Sequence, residues 1–275
     1  DLYGNNIGDE GTKILGKRLK INKSLTELHL YNNQINIGGA SGLSKALKVN
    51  TTLRLLTLGG NNIGDGGTKS LGEAIKVNSA LQQLDLAGNK IGDNGVKALS
   101  EALRANTTLQ QLNLDTNNIK DQGAGSLGEA LKINTTLQQL ALMQNNIGAG
   151  GVKILGESLK VNFSLKGLYL SDNIVGNEGA KILGDALKFN TSLRSLYLTA
   201  NAIGKEGARA LSSALKINSS LKVLILGGTF GDNNVGNKGA KALGKALQVN
   251  TTLKVLELGE NNIGTKGIIA LGEGL

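Results

Sequence analysis

The sequence repeats itself every 28 residues, and that property decides what the chain can fold into. Asparagine opens successive units at Asn22, Asn50, Asn78, Asn106, Asn134, Asn162, Asn190, Asn218 and Asn250. A partial unit, 1–21, comes first. Seven full units follow (22–49, 50–77, 78–105, 106–133, 134–161, 162–189 and 190–217), then a long unit with a four-residue insertion (218–249) and a truncated one (250–275). Nothing is left over for a linker, so the 275 residues read as one domain. A period of this size belongs to a solenoid, whose units cannot bury their apolar faces alone and stack to do so.

Two spacings share each unit. In the third full unit Leu81, Leu84 and Leu86 end in the period-two alternation of a short strand with one buried face. From about Asp93 the spacing changes, and Val96, Leu99, Ala102 and Leu103 form one helical stripe. Each unit is therefore predicted to run strand, turn, helix, return loop, an α/β solenoid with one parallel sheet. Counting from the opening asparagine, position 7 is leucine from Leu28 to Leu256, and position 9 is leucine from Leu30 to Leu258. Position 18 is glycine from Gly11 to Gly267, early in each helix, where a side chain would hold helix and sheet apart. Position 12 is asparagine ten times, from Asn5 to Asn261. Its amide both donates and accepts, so a ladder of asparagines can satisfy the backbone where it leaves the strand.

The string Leu-x-x-Leu-x-Leu-x-x-Asn, followed by Ile-Gly-x-x-Gly and a helix, resembles the leucine-rich repeats of the ribonuclease-inhibitor subfamily over the whole chain. Phrases such as Leu243-Gly-Lys-Ala-Leu247-Gln-Val-Asn250-Thr-Thr-Leu253 look most like the repeat regions of NOD-like receptors. The resemblance implies a horseshoe with parallel strands on the concave face, helices on the convex face, and protein binding on the concave side. It extends to activators of Ran-type GTPases. Two departures stand beside it: the cysteines abundant in ribonuclease inhibitors are absent, and no nucleotide-binding or death-fold domain accompanies the repeats.

Enzyme-like strings dissolve in this register. Gly123-Ala-Gly125-Ser-Leu-Gly128 matches G-x-G-x-x-G, but its glycines fall inside a predicted helix rather than in the turn after a strand. Gly11 to Lys17 and Gly239 to Lys245 approach a phosphate loop, yet both lack the closing serine or threonine and lie in helices. His29 is the only histidine, and no nucleophile elbow accompanies it. Asp85 and Asp115 fall on adjacent strands of the inner face, where solvated acids are a better reading than a catalytic pair. No catalytic residue, metal or cofactor is expected. Eight units open on an Asn-x-Ser/Thr sequon, read here as a turn in which asparagine takes the left-handed backbone that ends a helix.

No apolar run reaches membrane-spanning length, and neither a signal pattern nor cysteine is present, which points to a cytoplasmic protein without a membrane partner. The net charge of +9 comes mainly from cations at position 27, near helix ends, and at position 20, often four residues before an acid at position 24. That makes a solvated convex face, with no specific nucleic-acid site. The first residue falls within a strand and the last within a helix, so a longer parent chain, or end-to-end pairing of copies through uncapped termini, is expected.

Function is sought in surface columns that vary. Positions 6, 8 and 10 look out from the concave sheet. All four tyrosines, the histidine and the one methionine of the chain fall at positions 8 and 10. Tyr169 and Tyr197 sit side by side in this register, with Met143 diagonal to them and Val223 and Ile225 following, an exposed apolar patch of the kind that anchors protein contacts. Tyr3, Glu27, His29 and Tyr31, with Asp1, form a second patch. Tyrosine also tolerates strands for its own sake. Phe230, in the insertion, either reaches over the concave rim to a ligand or packs back on its loop. The chain therefore reads as a non-catalytic protein-recognition module for an unidentified partner, with the sensor region of a NOD-like receptor as its finer form. The alternatives are a Ran-type GTPase activator and a structural scaffold.

Overall fold

The computed structural model describes residues 1–228 and 233–275. Nine three-residue strands are found among them: β1 (Glu27–His29), β2 (Leu55–Thr57), β3 (Gln83–Asp85), β4 (Gln111–Asn113), β5 (Gln139–Ala141), β6 (Gly167–Tyr169), β7 (Ser195–Tyr197), β8 (Val223–Ile225) and β9 (Val255–Glu257). Ten helices alternate with them: α1 (Gly8–Leu19), α2 (Ile37–Leu47), α3 (Gly64–Ile75), α4 (Asp93–Leu103), α5 (Asp121–Leu131), α6 (Ala149–Leu159), α7 (Gly176–Leu187), α8 (Lys205–Leu215), α9 (Gly236–Leu247) and α10 (Thr265–Gly272). The strands make one parallel sheet in chain order. Leu28, Leu56, Leu84 and Leu112 pair in register across its first four strands. Each unit contributes one strand and one helix. Strands pack about 4.8 Å apart and helices 8–10 Å apart, so the stack bends toward the sheet and leaves it on the concave side.

The core lies between the two layers. Leu84, Leu86, Ile91, Leu99 and Leu103 of one unit are all but inaccessible to solvent, and their counterparts in neighbouring units continue the same column. Truncating one such leucine to alanine costs about 2–5 kcal/mol.

Polar groups inside the stack are satisfied by side chains of adjacent units. The Asn61 amide donates to the carbonyls of Leu30 (3.0 Å), Leu58 (2.8 Å) and Gly59 (3.1 Å), and its Oδ1 accepts the N–H groups of Asn33 and Ile35, each at 2.9 Å. Position 12 is thus the asparagine ladder expected of it. Position 1 forms a second ladder. Asn106 donates to the carbonyls of Ile75 (2.7 Å) and Asn78 (3.0 Å) and accepts from the N–H groups of Thr108 (3.0 Å) and Leu109 (2.7 Å).

That second ladder corrects the reading of the opening asparagines as left-handed turn residues. Left-handed backbone lies elsewhere, three residues past a strand at Thr116, Gln144 and Asp172. The opening asparagines are there for hydrogen bonding between units. Their burial from Asn50 to Asn218 leaves no room for a glycan.

The charge pattern on the helices also differs from expectation. The acid at position 24 meets the cation at position 27, as in Glu129–Lys132 (2.6 Å), Glu157–Lys160 (2.7 Å) and Asp185–Lys188 (2.7 Å). Among the described residues no pair joins positions 20 and 24. Lysine ahead of its acid is the less favourable order along a helix, whereas the position-27 cation lies by the helix C-terminus. The position-18 glycines face the preceding helix as well as their own unit: a Cβ on Gly207 would come within 2.9 Å of the Ala180 Cβ.

Candidate functional site

The period-two alternation that buries Leu168 and Leu196 turns Tyr169 and Tyr197 to the opposite face of the sheet. The two tyrosines pair directly across β6 and β7, with ring centroids 4.9 Å apart and planes tilted by 45°. The Tyr169 ring folds over its own strand. A Cβ on Gly167 would lie 2.8 Å from the Tyr169 hydroxyl, so glycine at this point makes room for the ring. Burial, with Tyr197 adding to it, pushes the Tyr169 hydroxyl above its ordinary pKa.

Tyr169 closes one end of a groove of about 320 Å³ that runs along the sheet face to Thr57, past Met143, Ala141, Asn113 and Asp85. Gln83, Gln111 and Gln139, which occupy position 6 on three successive strands, form one of its walls. This glutamine row was missed in the sequence, although position 6 is one of the outward columns; reading that column across units would have found it.

One carboxylate lines the groove, and a second is bonded to the backbone of Met143 beside it. The first, Asp85, accepts the Ala87 N–H at 2.8 Å. Burial raises its pKa, opposed by that bond and by the Asn113 side chain. Asp115, just past β4, accepts the Met143 N–H at 2.6 Å. Burial pushes Asp115 up to about 6; the Met143 N–H works against the shift, and the charge of Asp85 adds to it.

The predicted patches are rearranged in two respects. Ile225, set in register between Tyr197 and Glu257, is 5% exposed and belongs with the buried residues rather than with an exposed patch. Val223 is half-buried on the same strand. The accessible apolar surface therefore runs from Tyr197 and Tyr169 toward Met143 and the groove, with Val223 but not Ile225 beside it on β8. At the other end Tyr3 and Tyr31 stack in parallel with centroids 5.5 Å apart. Tyr31 also covers Gly59, where a Cβ would strike its ring. His29 faces Glu27 across 3.6 Å and Thr57 Oγ1 across 3.4 Å. Because Thr57 also lines the groove, the two patches are the ends of one continuous surface. Phe230 lies outside the described residues.

The glycines of the nucleotide-like string are packed in α5: a Cβ on Gly128 would lie 2.8 Å from the Ile154 carbonyl carbon. Among the described residues no three His, Cys, Asp or Glu side chains gather as metal ligands. No helix among them is long and apolar enough to cross a membrane.

Two family models match stretches of the chain. A family model described as Leucine Rich repeat matches residues 22–44, 161–184, 189–212, 218–244 and 249–272. A second, described as TMOD/LMOD Leucine-rich domain, matches residues 60–152. Among solved structures the chain is similar to one titled "Leiomodin-1 Actin-Binding Site 2 (ABS2)", with 26% identity over 54% of this chain and 86% of that one and a TM-score of 0.48. It is also similar to a Caenorhabditis elegans tropomodulin C-terminal domain, with 16% identity over 55% of this chain and 93% of that one and a TM-score of 0.47. No curated protein matches it. Repeat-family matches toward both ends of a single parallel sheet, with a helix following every strand, identify the chain as a leucine-rich-repeat solenoid.

Proposed function

We propose that this solenoid is a protein-recognition module that engages its partner on the sheet face between Thr57 and Tyr197. The observation that carries this reading is the placement of Tyr169, paired with Tyr197, and the one methionine of the chain at the end of a groove that combines apolar leucine and alanine surface with the glutamine row and Asp85. Aromatic side chains that are half-buried before binding lose little conformational freedom on contact and dominate interface energetics. Asp85 and Asp115 add negative charge beside them, so the contacting segment of the partner is an apolar side chain flanked by lysine or arginine. No bond-making step is required. The module works by holding a curved surface rigid.

The test is quantitative capture of the partner by the wild-type chain and by Tyr169→Ala/Tyr197→Ala. The double variant should bind with a loss of about 2 kcal/mol or more, roughly 30-fold in affinity. Equal binding removes the site. The receptor-sensor reading is a finer form of this proposal and the GTPase activator is an alternative to it; both rest on motif resemblance. Single-turnover GTP hydrolysis with a panel of GTPases separates the second from plain recognition.

A further inference from the structure

On the helical face the acid at position 24 is missing in α8 and α9, as it is in α1 and α2, where Lys17 and Lys45 stand there. In α5, α6 and α7 the lysine at position 27 is neutralised by an acid three residues earlier. In α8 the acid is replaced by Ser213, so Lys216 has no such partner, and in α9 the equivalent residue is Lys245. Arg209, Lys216, Lys238, Lys241 and Lys245 then converge on one groove of about 520 Å³, whose lining contains no acidic side chain. None of the five forms an ion pair among the described residues; the acid of α8, Glu206, pairs with Lys205 at 3.6 Å. Five like charges around one groove repel one another, and a compact ligand of opposite charge relieves that repulsion.

We propose that the α8–α9 groove binds a ligand with clustered phosphates, either free in solution or as a lipid headgroup. Its extent argues for a compact polyanion over a duplex: the unpaired cations cover two helices, about 10 Å of surface, and at α7 the paired pattern resumes with Asp185–Lys188. Lysine and arginine side chains give phosphate oxygens charge-assisted hydrogen bonds, stronger than those between neutral groups.

Tripolyphosphate titrated calorimetrically at about 150 mM salt, where long-range attraction is screened, tests the soluble source. Sedimentation with phosphatidylcholine vesicles, with and without phosphatidylinositol 4,5-bisphosphate, tests the headgroup. The Lys241→Glu/Lys245→Glu variant should lose about tenfold or more in affinity for whichever probe binds. Both lysines are exposed on α9, and five units carry an acid at the position of Lys245 in a described helix, from Glu73 to Asp185, so the exchange leaves the core packing untouched. The Lys69→Glu/Lys97→Glu variant makes the same change in net charge on α3 and α4 and should bind like wild type. Binding of tripolyphosphate alone assigns a free ligand, and binding of the phosphoinositide vesicles alone assigns a membrane headgroup. Failure of both probes, or an equal loss in the α3/α4 variant, overturns the proposal.

Discussion

One carboxylate oxygen of Asp93, at the start of α4, accepts the backbone N–H of Gly123 in the next unit at 2.9 Å, and the same oxygen accepts the Lys120 N–H at 2.8 Å. The N-terminus of α5 is thus capped by the preceding helix, not by a residue of its own. The contact also accounts for the glycine, since a Cβ on Gly123 would lie 2.6 Å from that oxygen. Asp9, Asp65, Asp121, Asn177 and Asn237 act in the same way on the following units. Where the corresponding residue is Ile37, Ala149 or Lys205, no acceptor is present. The next helix then opens on Gly64, Gly176 or Gly236 with left-handed backbone (φ +58°, +63° and +58°), and its N–H turns to the carbonyl of Asn89, Asn201 or Asn261.

Two substitutions of the same kind should therefore differ. Asp65→Ala leaves Gly92 free to adopt the left-handed alternative seen at Gly64, so its cost stays below about 1 kcal/mol, the worth of a cap. Asp93→Ala strands Lys120, for which left-handed backbone adds about 1–2 kcal/mol to the lost cap. Urea midpoints together with amide exchange in α5 and α4 measure both. Equal losses would show that the flip is not the compensating move.

The position-12 ladder should be the least replaceable polar element of the fold. Asn117 donates to the carbonyls of Leu86, Leu114 and Asp115 and accepts from the N–H groups of Asn89 and Ile91. Asn117→Ala leaves these backbone groups buried without partners, each costing about 1–3 kcal/mol. A loss above about 3 kcal/mol is expected, with exchange protection falling first in the units on either side of Asn117. A loss below about 1 kcal/mol would mean that water enters and takes over the bonds.

The surface charges make a smaller effect. A double-mutant cycle on Glu157 and Lys160 should return about 0.3–0.5 kcal/mol, and the cycle on Lys153 and Glu157 close to zero. A reversed ranking would mean that lysine at position 20 is the real partner.

Much of this architecture is legible in one unit of sequence. The alternation of Leu84 and Leu86 and the stripe of Val96, Leu99 and Leu103 define the strand and the helix, because burial of apolar side chains follows backbone period. What is not legible lies between units. That Asp93 caps α5 depends on a contact 30 residues away in the chain, and no local motif marks it. Aspartate at position 16 looks like an ordinary first-turn acid. The groove is half-legible in sequence: Tyr169 and Met143 stand out as rare residues, whereas Gln83, Gln111 and Gln139 are of a common type and mark the wall only when position 6 is compared across units. Ile225 was misplaced because outward direction in a strand does not ensure exposure when large neighbours flank it.

The last prediction concerns Asp115 and pH. Its carboxyl is held at about 6, above the value near 3.9 of an unfolded aspartate. Between those values the folded chain keeps a proton that the unfolded chain has released, so the difference in bound protons, unfolded minus folded, is negative. Stability contributed by this site therefore falls as pH rises from about 4 to about 6 and is level above that range. Asp115→Asn keeps an oxygen for the Met143 N–H but cannot ionise. Its urea midpoint should exceed that of wild type by a margin that opens across this window and holds at neutral pH. If the margin is constant with pH, or has the opposite sign, burial does not control this carboxylate. The same titration bears on recognition: a cationic partner segment reading the groove should bind more weakly below pH 6, where Asp115 becomes neutral, and Asp115→Asn should remove that part of the dependence.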